Sequence, residues 1–202
     1  MKDCPEQVGR VLRARTVDFV IGVRVLQAEL PTFGALVKVR SQTGTEILGL
    51  IYDVLIDDDP FVRQLIAARE LRDEEVQDQR QNRQVPAEVS VLAVGYRRGG
   101  VLYQLLPPQP PAALDCAYAC DDDEIREFTT GPDGKPRLDY FRIVLQAQGV
   151  LADELLAASA REGARVRGGG GQDFLIDCGR EVARLLAMDP VRLDGILRRL
   201  RV

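Results

Sequence analysis

Several groups of residues in this chain are of types that do chemistry. Asp121-Asp122-Asp123-Glu124 is the densest. Carboxylate oxygens gathered together can hold a divalent cation. Consecutive side chains point in different directions, however, and four acids ahead of Ile125 and Phe128 fit a helix N-terminus, where they complement the dipole. Asp57-Asp58-Asp59 reads the same way, with Asp59 as a cap. The four cysteines, Cys4, Cys116, Cys120 and Cys178, include one pair close enough to share a zinc ion, Cys116-x3-Cys120, while a Cys4 site calls for two such pairs. Reduced structural thiols are therefore expected. Two basic clusters could meet phosphates: Arg97-Arg98-Gly99-Gly100, and Arg192, Arg198, Arg199 and Arg201. No aromatic residue interleaves them to stack bases, and arginine outnumbers lysine throughout, 24 to 3, so solvated faces are the simpler reading. Asp53, Tyr52 and Tyr103 remain as candidate acid–base groups, but no spacing among them demands a role. Histidine is absent, which removes Ser-His-Asp, Cys-His and His-metal mechanisms together. No catalytic, cofactor-binding or metal-ligating residue is assigned.

The elements that would position these residues fall into two blocks. The chain has 202 residues, 46% hydrophobic and 29% charged, with a formal charge of −4, the balance of a folded protein without a bulk basic field. Residues 115–136 carry 7 acidic and 2 basic side chains, so most of the negative charge sits there. The same stretch and its approach hold Pro107, Pro108, Pro110, Pro111, Pro132 and Pro136. Residues 107–136 thus read as a Pro-rich acidic connector between an N-terminal unit, 1–106, and a C-terminal unit, 137–202.

The first unit reads as β. Val8–Arg13, Asp18–Val25, Leu36–Arg40, Glu46–Ile56, Val89–Tyr96 and Val101–Leu105 are rich in β-branched residues, with a hairpin turn at Arg97-Arg98-Gly99-Gly100. Gly22 and Gly49 inside strands suggest bulges or close backbone approach. Six short strands favour a small closed antiparallel-type barrel, since closure removes exposed edges. A helix is expected at about 59–84, opened by Asp59-Pro60, apolar through Val62, Leu65 and Ile66 and then polar. The second unit reads as α. Leu138, Phe141, Val144 and Leu145 share one face, and Leu151, Leu155 and Leu156 another. Gly168–Gly171 read as a flexible turn. Phe174, Leu175, Cys178, Val182, Leu185 and Leu186 make an amphipathic stripe, and Asp189-Pro190 caps a last helix carrying Leu193, Ile196, Leu197 and Leu200. The fold class is α+β: a six-stranded barrel followed by a small helical bundle.

Val8-Gly9-Arg10-Val11, Asp18-Phe19-Val20-Ile21-Gly22-Val23, Phe33-Gly34-Ala35-Leu36-Val37-Lys38-Val39 and Glu46-Ile47-Leu48-Gly49-Leu50-Ile51 together resemble the HAS-barrel. That is the six-stranded barrel shared by HerA-type hexameric DNA translocases and rotary ATP synthase subunits. With Ile56–Arg63 and Cys120–Ile125 included, the chain is similar to stand-alone bacterial members of the group. In the translocases an ATPase core follows, with a phosphate loop G-x-x-x-x-G-K-[ST]. Here Gly168–Gly171 precede Gln172-Asp173, and Gly131 and Gly134 precede Lys135-Pro136, so the lysine and hydroxyl never come together after the glycines. The resemblance implies a barrel kept without its motor and no cofactor: a non-enzymatic assembly or adaptor protein. It would associate with itself or dock onto a hexameric ATPase or nuclease. A nucleic-acid-binding module, and an Asp/Glu- or Cys-based hydrolase or metalloprotein, are the alternatives. The start, Met1-Lys2-Asp3-Cys4-Pro5-Glu6, lacks an apolar stretch behind a basic end, and no run approaches the ~20 residues that span a bilayer. A cytoplasmic location without membrane contact is expected.

Overall fold

A computed structural model describes residues 7–26, 30–41, 44–56 and 84–200. The helix expected at about 59–84 lies outside the described residues apart from Gln84, which opens a strand; Cys4, Asp57-Asp58-Asp59 and Arg201 lie outside them too. Seven strands are described: β1 (Gln7–Ala14), β2 (Asp18–Leu26), β3 (Leu36–Arg40), β4 (Glu46–Ile56), β5 (Gln84–Arg98), β6 (Val101–Tyr103) and β7 (Cys116–Ala119). Their order is β2-β1-β7-β3-β4-β5-β6, every pairing is antiparallel, and β2 also pairs with β5. That last pairing closes the sheet into a six-stranded barrel.

The sixth stave is not the one the sequence suggested. β6 pairs only with β5 and stands outside the ring as the second arm of a hairpin. Its turn is two glycines at φ 58 and 80, the left-handed geometry that a two-residue hairpin with the strands' own twist requires. The stave that closes the gap between β1 and β3 is β7, inside the stretch 107–136. That stretch therefore carries barrel structure as well as prolines and acids. The register shift expected around Gly49 is present, between Leu48 and Gly49 in the β4–β5 ladder.

Strand alternation divides the apolar residues between two cores. Val37 and Val39 of β3 point inward, with Val11, Phe19, Ile21, Ile47, Ile51, Val89, Val91 and Ala117, and these side chains fill the barrel. Leu36 of β3 points outward, with Leu48, Leu50, Leu92 and Val94, and these five are buried beneath the helices. The helices are α1 (Asp122–Phe128), α2 (Phe141–Gln146), α3 (Ala152–Arg165), α4 (Gly171–Leu185) and α5 (Pro190–Leu200). The expected stripes supply their inner faces: Phe141 and Val144, Leu155 and Leu156, Phe174, Cys178 and Val182, Ile196 and Leu200 are all buried. Leu151 is the exception. It precedes α3 as its cap residue and is exposed. The four glycines form a 3-10 turn, Gly168–Gly170, that runs straight into α4.

At Gly34 the barrel meets α3 with no room for a side chain. The residue sits at φ 84, and a Cβ there would lie 2.5 Å from that of Ala158. The helical block is thus seated on the outer wall of β3, β4 and β5, and one apolar cluster runs through both units.

Candidate functional site

The acidic run, read from the sequence as a helix N-terminus, is one and also pins this seam. Asp121 caps α1: its side chain accepts from the backbone N–H of Glu124 (2.8 Å), and the Glu124 carboxylate accepts from the N–H of Asp121 (3.0 Å). This is a capping box, and it orients the next three acids in different directions. Glu124 reaches the barrel, where it accepts from Lys38 Nζ of β3. Lys38 is only 2% exposed, because its position on β3 faces the helices. Asp122 turns the other way and takes two bonds from Arg165 of α3, the shorter 2.6 Å. Asp123 pairs with Arg126 on its own helix, and Arg126 also donates to the carbonyl of Val166. One turn on, Glu127 accepts both arms of Arg97 from β5, at 2.8 and 2.9 Å.

The electrostatics follow from these pairs. Hydrogen bonds from Arg165 hold the Asp122 carboxyl below its ordinary range, and those from Arg97 do the same for Glu127. Each acid of the run thus has its own partner, and the four do not converge on one point. Among the described residues, no group of three or more Cys, Asp or Glu side chains is arranged to hold a metal ion.

The thiols sit apart. Cys116, Cys120 and Cys178 are all free. Burial, with the nearby Glu124 carboxylate, pushes the Cys120 thiol well above its usual range, and burial pushes Cys178 up to about 12. Both shifts run opposite to what a nucleophilic thiolate needs. Cys120 borders an apolar crevice of about 270 Å³ between β1, β3, β7 and α3, lined among others by Val8, Leu30, Ala35 and Ile125. A wider, charged cleft of about 860 Å³ lies between residues 131–139 and α4, where Arg180 pairs with Asp177 (2.8 Å) and Arg184 with Glu181 (2.6 Å).

The basic clusters are likewise committed. Arg192 pairs with Asp153 (2.8 Å), Arg199 with Glu154 and Arg198 with Asp194 (2.8 Å), so the face expected on the last helix largely staples α5 to the start of α3. Of the two hairpin arginines, Arg97 is bound to Glu127 and also lies 3.3 Å from Glu46. Tyr103 stacks on Tyr96 across the hairpin, with centroids 4.9 Å apart, and is not directed toward Asp53, which is exposed on β4 opposite Ser90.

One residue that sequence reasoning passed over ties the region together. Gln104, 1% exposed, donates to the carbonyls of Phe128 (2.7 Å) and Arg137 (3.0 Å) and accepts from the N–H of Tyr140 (3.1 Å). It joins the end of the hairpin to α1 and to the start of α2. A lone glutamine after a strand carries no signal of this.

A different surface is left uncovered by the described helices. Beyond the helix-covered stretch of β4 and β5, two cross-strand rows face outward: Arg13–Val20–Ser90–Asp53 and Arg10–Gly22–Glu88–Leu55. Leu12, in the β1 bulge, lies over Gly22. Leu12 is 48% exposed and Leu55 55% exposed. No helix among the described residues is long and apolar enough to cross a membrane. No protein-family model matches the chain, and no curated protein matches it.

Proposed function

We propose that this protein is a non-enzymatic assembly or adaptor protein whose barrel docks against like barrels or onto a barrel-bearing ATPase or DNA-processing partner. The observation that carries the reading is the division of the barrel's outer wall. One part is buried under the chain's own helices, while the wall at Leu12 and Leu55 is left uncovered by the described helices, on strands whose inner faces are packed. A filled barrel offers its outside rather than its lumen, and exposed leucines on a rigid sheet are what a protein partner covers. The resemblance to the HAS-barrel supports the same reading as analogy of fold, which does not by itself fix function. The free thiols fit a reducing cytoplasm.

Nucleic-acid binding has less to stand on. The hairpin and α5 arginines that would meet phosphates are largely engaged with carboxylates of the same chain. Size-exclusion chromatography with light scattering on the full chain tests the proposal. Self-association, or a stable complex with a barrel-bearing hexameric ATPase from the same genome, is expected. A strict monomer that binds no such ATPase overturns it.

A further inference from the structure

We draw no further inference here: the strongest candidate, the apolar crevice of about 270 Å³ between β1, β3, β7 and α3 beside Cys120, is bounded by Gln7 and Leu30 at the limits of the described residues, and nothing in the structure shows what covers it.

Discussion

The barrel has two outer faces built from overlapping strands, and the chain treats them oppositely. On the face of β3, β4 and β5 toward the helices, Leu36, Leu48, Leu50, Leu92 and Val94 are buried, and Lys38 and Arg97 are held by Glu124 and Glu127 of one short helix. On the face crossed by the Arg13 and Arg10 rows, leucines stand exposed and Asp53 has no ion pair among the described residues. The pleat is the same and so is the backbone pairing. What differs, among the described residues, is whether a helix arrives from elsewhere in the chain with both an apolar face and carboxylates. On the first face one does, its carboxylates 86 and 30 positions from the cations they meet, whereas on the second Arg13 is met by Glu88 of β5. A face completed from within is a matter of stability, whereas a face left incomplete is a matter of association, and variants on the two should separate those readouts.

The largest effect is expected where the two cores meet. Phe128 is 2% exposed and packs against Tyr140, centroids 5.1 Å apart, beneath the wall of β5. Phe128→Ala removes a buried ring from a site pinned on three sides and is expected to cost about 3–5 kcal/mol. Thermal unfolding of the full chain checks it. Because one apolar cluster spans barrel and helices, a single transition shifted to lower temperature is expected, and loss of the helical signal with the barrel intact would show that the seam does not couple them.

Next comes the buried pair. Glu124→Ala leaves Lys38 charged in a site where it is 2% exposed, and removes one arm of the α1 capping box. Because Glu124 keeps partial contact with water, the expected cost is about 2–4 kcal/mol, at or below the usual figure for breaking a buried pair. Lys38→Met/Glu124→Leu, which removes both charges, should recover much of that loss. The same helix sets an acid limit. The folded pKa values of Asp122 and Glu127 lie below their unfolded ones. Their contribution is therefore present above the unfolded range, about pH 4, and is lost as pH falls through the folded values. The melting temperature should hold through neutral pH and drop below about pH 4, a drop that Asp122→Asn/Glu127→Gln should blunt.

Much of this architecture was legible before any coordinates, and the illegible parts share a cause. Strands β1 to β5 announce themselves through runs of β-branched residues, and α3 to α5 through apolar stripes, because each signal lies within one element. β7 does not: Cys116-Ala117-Tyr118-Ala119 is four residues among prolines and acids, too short to show a period. The barrel's count of six was right for a different sixth strand, since closure demands a stave there whatever the local signal. At the acidic run, Asp121 as cap and the acids of the first turn were readable from Asp-x-x-Glu spacing. Their partners Lys38, Arg97 and Arg165 were not, because pairing at such separations is set by the finished fold. The partners of the α5 arginines, read from the sequence as a solvated face, were illegible for the same reason: Asp153 and Glu154 reach Arg192 and Arg199 only once α3 packs beside α5.

The smallest expected effect on stability is the one that most sharply divides the two faces. Leu12 and Leu55 already spend about half their surface in water, so Leu12→Ser/Leu55→Ser should shift the folding free energy by no more than about 0.5 kcal/mol per site. If the open face is an interface, the same double variant should abolish self-association while leaving the melting curve of dilute protein in place. Leu48→Ser, on the same strand as Leu55 but beneath the helices, should do the reverse, lowering the melting temperature with no specific effect on association of the protein that remains folded. A Leu12/Leu55 variant that melts early would mean the open face supports the fold after all, and the contrast between the two walls would then be one of degree.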